Sequence, residues 1–129
     1  MANQFVVQLK NEPGAMATLA ERLAASGVDL RAIGGGGIGD SGHVIMTTAD
    51  DAATKSILDE DGYTYIEGES ILAEVDDKPG GMARLSRQLA DAGVNIYGHL
   101  FLGRWGDRAM FAFVVDDPER ARPILERKS

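Results

Sequence analysis

The sequence predicts an α+β protein made of two tandem βαββαβ units, with antiparallel sheets and helices on one face. Three observations predict it. A segment recurs at a fixed offset, each copy alternates short β-rich runs with helix-spaced apolar residues, and glycines and prolines punctuate both copies at matching places.

The repeat comes first, because missing one misassigns a whole fold. Asn11-Glu12-Pro13-Gly14-Ala15-Met16-Ala17 matches Asp77-Lys78-Pro79-Gly80-Gly81-Met82-Ala83 at an offset of 66 residues. The same offset pairs Leu19 with Leu85, Leu23 with Leu89, Ala24 with Ala90, Gly27 with Gly93 and Val28 with Val94. It also pairs Asp50-Asp51 with Asp116-Asp117. The boundary between copies falls at 68/69, which gives domains of residues 1–68 and 69–129.

Each copy opens on a strand, Phe5 to Leu9 and Ile71 to Val75. A Pro-Gly turn follows, then a helix. Met16, Leu19, Ala20, Leu23 and Ala24 keep the spacing of one buried helical face, as do Met82, Leu85, Leu89 and Ala90. Pro13 and Pro79 stand near the helix starts, where a missing N–H costs nothing. Gly27 and Gly93 stand where a helix ends in a left-handed residue. Two strands come next: Val28 to Ile38 and His43 to Thr48 in copy one, Val94 to Leu102 and Arg108 to Val115 in copy two. Second helices start near Asp51 and Pro118. Asp50-Asp51 and Asp116-Asp117 read as their caps, where negative charge is favourable. Copy one adds a strand at Tyr63 to Ile66, bounded by Gly62 and Gly68. This order is the ferredoxin-like split βαβ arrangement.

Two departures follow. The fourth strand of copy two would begin at residue 129, the last one, so the second unit lacks it. The strand near Ile71–Val75 is then an open edge with unpaired backbone groups. Either another chain or segment covers it, or a loop or water satisfies it. Pro123 falls inside the last helix, where proline costs about 3 kcal/mol, so that helix should be kinked, short or frayed.

Bulk composition narrows the function. A half-chain of this size buries only about 60% of the surface its unfolded form exposes, so each copy needs a packing partner. The chain has no cysteine, which removes thiolate metal sites, disulfides and cysteine nucleophiles. The two histidines, His43 and His99, are not at equivalent positions, and no metal site or cofactor is expected. The first residues have no signal-peptide pattern and no run is long enough to span a bilayer, so a cytoplasmic protein without membrane contact is expected. The net charge of −7 opposes binding to phosphate backbones. Copy one carries four Lys/Arg against ten Asp/Glu, copy two nine against ten. No aromatic stacking motif suggests RNA binding. No triad motif marks a catalytic centre.

The turn before each first helix is the repeated element with chemical potential. Helix N-termini leave N–H groups unpaired and favour a carboxylate. Gly14 and Gly80 place no side chain in the way. Asn11 and Asp77 could cap the helix or hold an ammonium group. An α-amino acid offers both charges to such a turn. The same Asx-x-Pro-Gly pattern is also simply a good strand-to-helix turn.

Two tandem βαββαβ units, each with Asn/Asp-x-Pro-Gly-x-Met at the first turn and Gly-Val-Asn/Asp-Leu/Ile after the helix, resemble the ACT domain family. Stand-alone tandem ACT proteins are the most similar type, and the resemblance covers nearly the whole chain. It implies a non-catalytic regulatory or sensor protein that binds an amino acid and acts on an enzyme of amino-acid metabolism, as a dimer. It places a ligand between the first turn of one unit and the second strand of its neighbour. The implied site residues are Asn11, Glu12, Pro13, Gly14, Ala15 and Met16, with Asp77, Lys78, Pro79, Gly80, Gly81 and Met82. The facing strand positions are Ile33, Gly34 and Gly35, with His99, Leu100 and Phe101. The alternative is an interaction module that keeps the fold without binding a ligand. Lys78 replaces Glu12 in copy two, so equal affinity at both sites is not expected.

Gly34-Gly35-Gly36-Gly37-Ile38-Gly39 is not a phosphate loop, since no Gly-Lys-Ser/Thr and no helix follows it. It reads as a bulged or mobile strand, or as room left for a ligand or a neighbouring backbone. Trp105, beside Arg104 and Arg108, either packs in an interface or folds back on its own sheet.

Overall fold

Phe5 and Val7, two apart on the first strand, point to the same sheet face, and both are fully buried there. The computed structural model describes residues 3–126. Eleven elements run in the order β1 (Asn3–Lys10), α1 (Ala15–Ala25), β2 (Leu30–Ile38), β3 (Ser41–Thr48), α2 (Asp51–Glu60), β4 (Tyr65–Glu69), β5 (Ile71–Asp76), α3 (Gly81–Asp91), β6 (Ile96–Trp105), β7 (Arg108–Val115) and α4 (Pro118–Leu125). They form two compact units that divide after Gly68.

The first unit has a four-stranded sheet in the order β2-β3-β1-β4, the ferredoxin-like order. Its core joins Phe5 and Val7 of β1, Val44 and Met46 of β3, Leu19 and Leu23 of α1, and Ile57 and Leu58 of α2. Each such side chain contributes about 1.5–3 kcal/mol by leaving water. Leu19 and Leu23 have no exposed surface, so truncating either to alanine would cost about 2–5 kcal/mol. The second unit repeats the plan with Ile71, Val75, Leu85, Leu89, Phe113 and Leu125. Its sheet has three strands among the described residues, ordered β5-β7-β6, so β5 stands at an edge.

Several local expectations are corrected. Ala24 and Ala90 are exposed, so the buried helical stripes are narrower than the apolar spacing suggests. β2 and β6 start two residues late, at Leu30 and Ile96. Gly68 lies inside β4 instead of bounding it. The glycine run is regular strand: Gly34 to Gly37 pair without interruption with Ile45 to Gly42, and the irregularity of β2 lies between Leu30 and Ala32. Pro123 sits inside α4, which is short at eight residues.

The offset of 66 does not persist to the end of the repeat. Lys10 pairs with Ser41, and Asp76 pairs with Arg108, an offset of 67 on the third strand. The extra residue is absorbed at the bulge between Phe101 and Gly103 in β6. Asp50 therefore corresponds to Asp117. Asp50 accepts from the Ala53 amide at 3.0 Å and Asp117 from the Arg120 amide at 3.1 Å, each capping its helix. Asp51 and Asp116 do other work, accepting from the amides of Asn3 and Asn95.

Candidate ligand-binding site

The strand-to-helix turn has one backbone design in both copies. Gly14 has φ 89° and ψ −13°, and Gly80 has φ 91° and ψ −11°. This left-handed conformation admits glycine without strain. The Glu12 amide donates to the Lys10 carbonyl at 3.0 Å, and the Lys78 amide to the Asp76 carbonyl at 2.9 Å. The turn is also tied to the tip of the following hairpin: the Asn11 amide donates to the Asp40 carbonyl at 3.0 Å, and the Asp77 amide to the Asp107 carbonyl at 2.8 Å.

Neither α1 nor α3 has a side-chain cap. The capping expectation for Asn11 and Asp77 is thus corrected. Asn11 Nδ2 donates to the Gly39 carbonyl at 2.8 Å, and the Asp77 carboxylate lies 2.9 Å from Arg104 Nε. Both side chains turn toward the hairpin. The first helical N–H groups are taken by the turn itself, Ala15 donating to the Glu12 carbonyl at 3.3 Å and Gly81 to the Lys78 carbonyl at 3.1 Å, and the amides that follow are left for another acceptor.

In copy one a cavity of about 350 Å3 lies between this turn and the sheet. Asn11, Glu12, Ala15 and Met16 line it from the turn and helix, and Ile33, Gly34 and Gly35 from β2. Leu9, Lys10, Gly36, Gly42, His43 and Val44 complete it. Its volume is in the range of small-molecule sites. Leu9, Met16, Ile33 and Val44 give it an apolar floor. Exposed Asn11 and Glu12 give it a polar rim, while the side chains of Lys10 and His43 alternate with Leu9, Gly42 and Val44 and project from the other sheet face. Neither Lys10 nor Glu12 is ion-paired among the described residues.

The register explains why there is space. Ile33, Gly35 and Gly37 pair with Met46, Val44 and Gly42, which pair in turn with Phe5, Val7 and Leu9. All these positions face α1. Gly35, which lines the hollow, adds no side chain to it from the strand. Nor can it simply be filled by mutation. A Cβ on Gly35 would collide with the His43 carbonyl, and one on Gly37 would stand 2.7 Å from the Asn11 amide.

Pro13 and Gly14 shape the turn without lining the cavity. A larger hollow of about 580 Å3 lies on the opposite, β4 side of the turn and shares Leu9, Lys10, Glu12 and Ala15. It is walled by Gln8, Thr18 and the loop 61–64, and it does not reach β2.

The matching turn residues of copy two have much the same exposure as those of copy one, and the facing strand is what differs. Asp77, Lys78, Pro79 and Gly80 are exposed, Gly81 is buried, and Met82 packs against the core of its unit. His99 is exposed, with its ring 6.3 Å from that of Phe113. Phe101 packs on Phe111 at 5.5 Å. Leu100, between them, is buried and projects from the opposite sheet face, away from the turn.

Leu9, Lys10, Gly36, Gly42, His43 and Val44 are cavity residues outside the expected site. Leu9 and Lys10 directly precede the turn, so proximity could have found them. His43 and Val44 depend on the β2–β3 register, which no motif announces.

No family model matches the chain, and no curated protein matches it. Solved structures do match. A protein of Bacteroides thetaiotaomicron is 18% identical with a TM-score of 0.71, over 97% of this chain and 86% of that one. The ligand-free regulatory subunit of aspartate kinase from Thermus thermophilus is 18% identical with a TM-score of 0.62, over 97% and 87%. The corresponding subunit from Thermus flavus is 17% identical with a TM-score of 0.64, over 98% and 92%. The chain therefore has the tandem ACT-type, ferredoxin-like fold of these regulatory subunits.

Proposed function

We propose that this chain is a non-catalytic regulatory protein of two ACT-like domains, residues 1–68 and 69–129, and that its first domain binds a free amino acid. The observation that carries this reading is the cavity that joins the Asn11–Met16 turn to the Ile33–Gly35 strand within one unit. The start of α1, which has no side-chain cap, suits a carboxylate. Asn11 and Glu12 suit an ammonium group, and the apolar floor suits a side chain. The fold it shares with regulatory subunits of aspartate kinase supports a role in controlling an enzyme of amino-acid metabolism. Ligand binding would act by its difference in affinity for two states of the protein, and a homodimer in the cytoplasm is the form we propose.

Thermal unfolding in the presence of each common amino acid tests this. A ligand at 100 times its dissociation constant adds about 2.7 kcal/mol to the folded state. That moves the midpoint by roughly 2–8 °C for each kcal/mol in a domain of this size. One or two amino acids should produce the shift, and Ile33→Trp, which crowds the cavity from a half-exposed position, should abolish it. No shift with any of them, in protein first stripped of bound ligand, sinks the sensor reading in favour of an interaction module.

A further inference from the structure

The two copies share a backbone frame but not its contents. With the bulge of β6 taken into account, Phe101 stands where copy one has Gly35: Phe101 pairs with Phe111 as Gly35 pairs with Val44. Arg104 stands where copy one has Gly37, since Arg104 pairs with Ala109 as Gly37 pairs with Gly42. Gly35, which lines the first cavity, and Gly37, which stands beside the Asn11 side chain, are thus replaced by large side chains on the same sheet face.

These side chains interact across the sheet face that carries the cavity in copy one. The Arg104 guanidinium lies over the Phe101 ring, 4.7 Å from its centroid. Its Nε lies 2.9 Å from the carboxylate of Asp77, the counterpart of Asn11. One wall of the site is therefore joined to the other by a cation–π contact at the strand and an ion pair at the turn. The charge change from Asn11 to Asp77 accompanies the change from Gly37 to Arg104, so the pair is chemically matched.

We infer that the second site is occupied by its own Arg104, which serves as a built-in cationic ligand, and that the chain takes up one amino acid, in copy one only. The stoichiometry rests on the amino-acid reading of copy one. The internal occupancy rests on copy two alone. Removing the arginine side chain should uncover a site for a small planar cation, bounded by the Phe101 face and the Asp77 carboxylate.

Two titrations followed by backbone amide NMR on the full chain test this. Ethylguanidinium should shift the amides of residues 77 and 101 saturably in Arg104→Ala, and neither in the wild type nor in Arg104→Ala/Asp77→Asn. Equal shifts in the wild type, or none in a folded Arg104→Ala, overturn the inference. Wild-type protein titrated with each common amino acid should saturate at one equivalent per chain, with shifts confined to residues 9–16 and 33–44. Two equivalents, or shifts centred on residues 77 and 101, also overturn it. Should no amino acid bind while the ethylguanidinium response of Arg104→Ala appears, the amino-acid reading fails and the internal occupancy of copy two stands.

Discussion

Asn11 and Gly37 compete for the same space: a Cβ on Gly37 would stand 2.7 Å from both Cγ and Oδ1 of the Asn11 side chain. Gly37→Ala should therefore displace that side chain and break its bond to the Gly39 carbonyl. The cost is about 1–3 kcal/mol, the usual range for forced overpacking. In an Asn11→Ala background the same change should be neutral or stabilising, because alanine is better than glycine in a strand by about 0.5–1 kcal/mol. Urea unfolding of the four proteins measures this cycle, and equal costs in both backgrounds would refute the packing argument.

Gly14 and Gly80 test whether the two turns are energetically alike. Their φ values differ by two degrees, and neither would bring a new Cβ against a neighbour. Alanine at either position should cost about 1–2 kcal/mol through backbone strain alone. The two costs should agree within the error of chemical denaturation. Only Gly14→Ala should also weaken amino-acid binding, since its turn borders the cavity that reaches β2.

Much of this was legible in the sequence, and the limits have physical causes. The repeated Pro-Gly turn and the Leu19/Leu23 and Leu85/Leu89 pairs placed both first helices, because side-chain period and turn chemistry are local. The site was legible as two segments, the turn and β2. Their convergence within copy one depends on pairing Gly35 with Val44, a long-range register that local patterns do not encode. The glycine run misled for the same reason. Read alone it lacks strand-forming side chains, but β3 supplies a full ladder to it. The bulge at Phe101 and Gly103 was hidden because the 66-residue match still aligns aspartates at 116 and 117, both of them in the wrong role.

That misalignment gives a direct prediction. Asp117 caps α4 and Asp116 does not. Asp117→Ala should cost about 1 kcal/mol and speed hydrogen exchange at the Arg120 amide. Asp116→Ala should leave that amide protected and instead expose the Asn95 amide. Amide exchange read by NMR distinguishes the two, and the reverse pattern would restore the gapless offset.

Tyr65 supplies a pH prediction with opposite signs for its two neighbours. Its hydroxyl donates to Asp59 Oδ1 at 2.6 Å and accepts from Lys55 Nζ at 3.2 Å. The bond to Asp59 raises the phenol above its ordinary value of 10.0, with burial adding to this, while Lys55 opposes it. Asp59→Asn should lower the Tyr65 pKa, and Lys55→Ala should raise it. Lys55 is itself held above 10.5, first by its hydrogen bond to Tyr65. Because both folded values are raised, the stability these groups contribute is complete below the unfolded pKa values. It is lost as pH climbs through the folded ones, above about pH 10. Their exposure keeps the effect small. Tyr65→Phe should flatten the alkaline limb of the stability profile without altering it near neutrality. Absorbance titration of the tyrosinate, taken as the difference between wild type and Tyr65→Phe, reads the pKa directly. A Tyr65 pKa that moves the same way in Asp59→Asn and Lys55→Ala would show that Asp59 does not hold the proton on the phenol.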